Sequence, residues 1–136
     1  MTTTGSDDKR ITVTAAIIGR EGKILIARRK RGDRQADKWE FPGGKLEEGE
    51  TPEVCLRREL REEFGIDVAV GGFVGRSSHR YPYGEIDLLA YRVTHLSGDF
   101  QLHDHEEIRW VEPADLPSHD FSAADIPIVK LLLEGK

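Results

Sequence analysis

GKLEEGETPEVCLRRELREEFGI, residues 44–66, is the stretch whose reading decides the fold. Within it Glu59, Glu62 and Glu63 stand at i, i+3 and i+4, a spacing that places them about a turn apart on one face of an α-helix. Like charges at helical neighbour spacing repel by roughly 0.2–0.5 kcal/mol per pair. A divalent cation held among the three would offset that repulsion.

The punctuation around the stretch predicts a helix over Pro52–Phe64. Thr51 is suited to the N-cap, Pro52 to the first helical position and Glu53 to the positive end of the macrodipole. Gly65 supplies a left-handed stop. Val54, Leu56, Leu60 and Phe64 are the expected inward positions. A charged helix can also be a solvated face, with Arg58 and Glu62 as an i, i+4 ion pair.

Outward from the helix, the rest of the chain reads as one domain. Its 136 residues are ample for a single core, and 38% hydrophobic with 33% charged residues is an ordinary globular balance. The net charge of −5 disfavours stable binding to nucleic acid or to an anionic membrane, and a protein this acidic needs cations to handle an anionic substrate. Cys55 is the single cysteine, so no internal disulfide forms and a reducing, cytoplasmic setting fits. Its place on the helix reads as a small buried side chain. The polar start, MTTTGSDDKR, has no apolar region of a signal peptide, and no segment is long enough to span a membrane. Residues 1–9 read as a loose tail and 10–136 as the domain.

Strands are expected at 11–18, 24–29, 68–74, 86–93 and 107–112 from β-branched and alternating runs. Arg20-Glu21-Gly22-Lys23 reads as a hairpin turn, 30–38 as a charged loop, 77–84 as a connection, and 124–134 as a last helix. Strands on either side of a central helix point to an α+β or α/β domain.

Upstream of the helix lies Trp39-Glu40-Phe41-Pro42-Gly43-Gly44-Lys45. Together the two stretches read Gly44, five residues, Glu50, seven residues, then Arg58-Glu59-Leu60-Arg61-Glu62-Glu63-Phe64-Gly65-Ile66. Every defined position of the Nudix hydrolase signature is filled, and residues 11–133 resemble its MutT-type subgroup, the small nucleoside triphosphate pyrophosphohydrolases. The resemblance implies the Nudix fold, an α/β/α sandwich with a mixed sheet between helices. It also implies a nucleotide substrate, Mg²⁺ (with Mn²⁺ as a substitute), and a monomer or homodimer. Oxygen-only carboxylate donors suit those hard cations better than zinc.

By the same resemblance Glu59, Glu62 and Glu63 bind metal, with one of them as general base. Arg58 orients a glutamate, and the Gly43-Gly44-Lys45 loop offers backbone groups to metal and phosphate. Glu50 is structural or an outer ligand. A further metal ligand is expected six residues before a strand tryptophan, which is Asp104 before Trp110; Glu106 and Glu107 compete with it. These acids, with His103 and His105, read equally as a solvated loop. Arg29 matches a phosphate-contacting arginine, and the Lys45 side chain is a further candidate to meet polyphosphate oxygens, whereas Arg28 and Lys30 read as surface charge. Phe41, Tyr81 and Tyr83 are candidate stacking surfaces.

Asp125, in Phe121-Ser-Ala-Ala-Asp-Ile-Pro127, matches the base-reading position and resembles the cytidine triphosphate branch of the subgroup. An ionised carboxylate only accepts, which suits the cytosine N4 amine; a protonated one could donate to O6 of an oxidised guanine. Asp125 could instead cap the last helix. Two other functions stay open at this level: hydrolysis of another nucleoside diphosphate derivative such as ADP-ribose or a dinucleoside polyphosphate, and a noncatalytic nucleotide-binding module. The second usually goes with eroded motif acids, and none is eroded here.

Overall fold

The computed structural model describes residues 10–30 and 37–135, so the expected tail at 1–9 and most of the charged loop at 30–38 lie outside the described residues. Within them the order is β1 (Arg10–Arg20), β2 (Lys23–Arg29), β3 (Trp39–Glu40), α1 (Pro52–Phe64), β4 (Asp67–Tyr81), β5 (Gly84–Ser97), β6 (His105–Val111) and α2 (Ile126–Leu133). Two 3₁₀ turns, Pro113–Ser118 and Ala123–Asp125, join β6 to α2.

The strands form a mixed sheet. β1 runs parallel to β5, and β5 antiparallel to β4. Glu21 and Gly22, both at positive φ, turn β1 into β2. These two strands pair only beside the turn, at Gly19↔Ile24 and Arg20↔Lys23, and β2 then pairs with β3 and β6 instead. The edge of β1 left open is taken by the glycine loop. Ala16 N donates to Pro42 O at 2.6 Å, Thr14 N to Gly44 O at 2.8 Å, and Leu46 N to Thr12 O at 2.9 Å.

Alternation along the strands feeds two cores. Ala15, Ile17, Ile24 and Ile26 face one side with Ile128, Val129 and Leu132 of α2. Ala16, Ile18, Leu25 and Ala27 face the other with Leu56, Leu60 and Phe64 of α1. The expected α/β/α sandwich is therefore present.

Four local expectations need correction. Val54 is 42% exposed, because it lies off the stripe that buries Leu56 and Leu60. The presumed connection at 77–84 is mostly strand, since β4 continues to Tyr81 and only Pro82-Tyr83 turn. Residue 124 lies in a 3₁₀ turn, and the α-helix begins at Ile126. Asp125 makes no side-chain capping bond to that helix, so the capping role is excluded.

Candidate active site

The motif helix is limited by the chemistry its sequence implies. Thr51 accepts from Val54 N, and Gly65 at φ 70° closes the last turn. Orphan carbonyls at the C-terminus are then met by residues 101–103: Gln101 N donates to Phe64 O, and His103 N to Glu63 O. His103 Nδ1 lies 2.8 Å from Glu62 O. Asp104 is thereby brought beside the helix, where its charge helps raise the Glu63 pKa. Glu106 and Glu107 turn to Arg28 instead, each at 3.4 Å, and Glu107 also to Arg109.

Arg58 organises the acidic face. Its Nε and Nη2 donate to the two oxygens of Glu50 at 2.6 and 2.9 Å. Its Nη1 reaches Glu59 at 3.0 Å and Glu62 at 3.2 Å, and Nη2 also reaches Lys45 O at 3.2 Å. Glu50 is held by this bidentate pair, which lowers its pKa to about 2. The loop and the helix are thus tied together through one guanidinium.

Glu63 is buried, and its carboxyl shares a hydrogen bond with that of Glu59. Burial first, then the charges of Glu40 and Glu59, push the Glu63 pKa well above the usual 4.5, and burial also raises Glu59. Glu63 Oε1 has no hydrogen-bond partner. Glu62 is the most exposed of the three and turns out to Arg58. Among the described residues, therefore, no three Asp, Glu, His or Cys side chains surround one point. Glu59 and Glu63 do converge, while Glu62 does not.

The loop above this pair is built for close approach. Gly43 has φ 154°, and a Cβ there would lie 2.0 Å from Thr14 O. A Cβ on Gly44 would lie 2.3 Å from the Glu59 carboxyl. These two glycines let the backbone sit directly on β1 and on the acidic pair. An orphaned buried carboxylate oxygen, an all-oxygen donor set and a backbone cradle together fit a hard divalent cation.

Next to the loop is a cavity of about 140 Å³. Arg29, Glu40, Phe41, Gly43, Gly44, Tyr81, Tyr83, Ser122 and Asp125 line it, so the expected base-reading and phosphate-contacting positions share one wall with the loop. Asp125 is almost wholly buried, with Phe41 N donating to its carboxyl and Oδ1 unpartnered. Burial, then the charge of Glu40, push its pKa well above the usual carboxylate range. Its backbone is gripped from β4, where Ser77 Oγ donates to Ala124 O at 2.7 Å and Tyr81 OH accepts from Ala124 N at 2.9 Å.

The aromatic candidates differ. Tyr81 and Tyr83 stack with planes 5° apart, whereas the Phe41 ring is buried against Phe121. Lys45 is exposed and lies outside this cavity. Arg28 ion-pairs with Asp37, Glu106 and Glu107.

Sequence reading missed Glu40, whose carboxylate lies between Arg29 Nη1 at 2.9 Å and His105 Nε2 at 2.7 Å. His105 belongs to β6 and is buried, which corrects its reading as part of a solvated loop. An acidic residue directly after Trp39, at the lip of the glycine loop, was the available signal for Glu40.

The mixed sheet between two helices, with the glycine loop and the acidic helix face side by side, is the architecture of a hydrolase family. Residues 8–132 match the family model for the NUDIX domain, and the chain belongs to the Nudix family, as a MutT-like nucleotide hydrolase. It is 40% identical over 125 residues to the CTP pyrophosphohydrolase of Escherichia coli K12, covering 92% of this chain and 93% of that protein. It is 38% identical over 128 residues to the 8-oxo-dGTP diphosphatase of Haemophilus influenzae, covering 93% and 94%. The crystal structure of the MutT protein from Methanosarcina mazei Go1 superposes with a TM-score of 0.86 at 25% identity, over 96% of this chain and 98% of that one. Nudix hydrolases generally depend on a divalent metal. Among the described residues, no helix is long and apolar enough to cross a membrane.

Proposed function

We propose that this protein is a Mg²⁺-dependent nucleoside triphosphate pyrophosphohydrolase, converting a (d)NTP and water to the (d)NMP and diphosphate, with a preference for cytosine nucleotides. The observation that carries the reaction is the Glu59–Glu63 carboxyl pair held under the Gly43-Gly44 loop. Glu59 and Glu63, with Asp104 beside them, are the side chains that would hold the cation, and Glu62 would join them by turning in from Arg58. The Gly44 and Lys45 carbonyls already accept from Thr14 and Arg58, so a backbone ligand from this loop falls to Gly43. When bound, Mg²⁺ (or Mn²⁺) neutralises phosphate oxygens and lowers the pKa of an attacking water.

The chain itself positions and discriminates. Arg58 fixes Glu59 and Glu62, Arg29 stands where a phosphate oxygen can be met, and Tyr81 and Tyr83 flank the cavity. The acidic helix supplies the proton acceptor for water. A cytoplasmic monomer or homodimer, with 10–136 as its domain, accords with the single cysteine and the negative charge.

The preference rests on Asp125. Burial favours its neutral form, and a neutral carboxyl donates and accepts at once. It can donate to N3 and accept from the N4 amine of cytosine. N1–H and O6 of an oxidised guanine offer the same complement, so the raised pKa keeps that substrate as the second reading. The 40% identity to a protein named CTP pyrophosphohydrolase favours the cytosine reading over the oxidised-guanine one.

A pyrophosphate-release screen with CTP, dCTP, 5-methyl-dCTP, dGTP, 8-oxo-dGTP and ADP-ribose tests this. Asp125→Ala is expected to cut kcat/KM for the best substrate by about tenfold or more and to flatten the order, as loss of a buried base contact does. An unchanged order would remove Asp125 from base reading. Release of AMP and a sugar phosphate as the main products would point away from triphosphates.

A pH effect accompanies the metal. Because the folded Glu59–Glu63 pair holds protons that the unfolded chain loses near its usual 4.5, the stability tied to that protonation is present below this value and declines as pH rises through the raised folded value. A cation held by Glu59 and Glu63 would displace that proton. The rise in melting temperature on adding Mg²⁺ is therefore expected to grow from about pH 5 to about pH 8. A rise that is flat or shrinks over that range would contradict the exchange.

A further inference from the structure

We infer that His105 is a positioning residue for base selection, acting through Glu40; this rests on the base-pocket reading above. Glu40 lines the cavity that holds Asp125, and its charge acts on the carboxyls of both Asp125 and Glu63. A carboxylate placed between a base pocket and an acidic helix face must be held in one orientation to serve either. Two donors do this. Arg29 Nη1 takes Oε1 at 2.9 Å and His105 Nε2 takes Oε2 at 2.7 Å.

The sheet sets both donors. Arg29 and His105 are register partners across β2 and β6, at the point where the register shifts between Arg28 and Arg29. Glu40 lies on β3, the other neighbour of β2. The imidazole is fixed in turn by stacking on Phe64 of the motif helix, with centroids 5.3 Å apart and planes 8° apart. In the 2.7 Å contact Nε2 is taken as the donor and the Glu40 carboxyl as the acceptor. Nδ1 is then left buried without a partner, a cost that a merely space-filling ring would not incur.

Without that Nε2–H, Glu40 keeps one anchor and its second oxygen can turn toward Asp125 or Glu63. The ring's packing and its donor function separate by substitution. His105→Phe keeps an aromatic face on Phe64 and removes the donor, while His105→Gln offers a donor near the Nε2 position and removes the ring.

Calorimetric affinities for CMP and GMP, measured without metal, read base selection apart from turnover. Wild type is expected to prefer CMP. His105→Phe is expected to reduce the CMP/GMP ratio by roughly tenfold, as loss of a charge-assisted hydrogen bond would, and His105→Gln to keep it within about threefold. In a Glu40→Gln background, His105→Phe is expected to cause no further change, the non-additivity of residues acting as one unit. A wild-type ratio in His105→Phe, or the same loss with and without Glu40→Gln, would overturn the inference. Absence of any preference in wild type would overturn the base-pocket reading and this inference with it. Melting curves of each variant separate loss of selection from loss of fold.

Discussion

Glu63→Gln is expected to lower metal-dependent pyrophosphate release by roughly a thousandfold, the scale of removing a principal electrostatic or acid–base group from an active site. The substitution preserves volume and planarity, so packing beside Phe64 and Leu60 is kept. It removes the negative charge that a cation would need. Burial and the charges of Glu40 and Glu59 already work against a charge on Glu63 and raise its pKa. The variant should therefore melt at or slightly above the wild-type temperature without metal, and it should lose most of the stabilisation that Mg²⁺ gives wild type. Single-turnover assays with CTP and paired melting curves check both halves. Wild-type turnover in this variant would defeat the proposed reaction.

Gly43→Ala is expected to cost about 3 kcal/mol of stability, from backbone overpacking combined with an unfavourable positive φ. The contact is with a strand, not a flexible tip: the new Cβ would lie 2.0 Å from Thr14 O and 2.8 Å from its carbonyl carbon. Either β1 or the loop must move, and the Thr14–Gly44 and Ala16–Pro42 hydrogen bonds depend on that spacing. In a chain this size the melting temperature should fall by about 10 °C, with activity lost as the loop lifts from the acidic pair. Gly44→Ala makes the comparison. The atoms nearest its Cβ are the end of the Glu59 side chain, so activity should fall while the melting temperature stays near wild type. Equal melting temperatures for Gly43→Ala and wild type would show that the loop absorbs the added atom.

How far these features could be read in advance follows from their range along the chain. The limits of α1 were legible because each is set by a neighbour in sequence: Thr51 bonds Val54 N, and Gly65 takes the left-handed turn. The Arg58–Glu62 pair is likewise one turn long. The end of β4 was not legible. Ser77, Ser78, His79 and Arg80 have little strand propensity, and they extend because β5 pairs with them and Ala124 needs partners on both its N–H and its C=O.

Val54 was misplaced because an apolar residue in a short helix has no obligation to face inward. Glu40 and His105 were out of reach for a different reason. They lie 65 residues apart, and only the placement of β3 and β6 on opposite sides of β2 brings them together. The partition of the motif acids was also hidden: a helical wheel places three glutamates on one stripe, yet tertiary burial isolates Glu63 and leaves Glu62 in solvent.

β1 has a consequence for how this molecule can change over generations. Odd and even positions from Ala15 to Ile18 supply opposite interiors, and the same backbone carries the loop that overhangs Glu59. Insertion or deletion of one residue before Ala15 would transpose those interiors and detach the loop in a single event. Point substitutions can accumulate there one methylene at a time, whereas any shift of frame within the strand is barred.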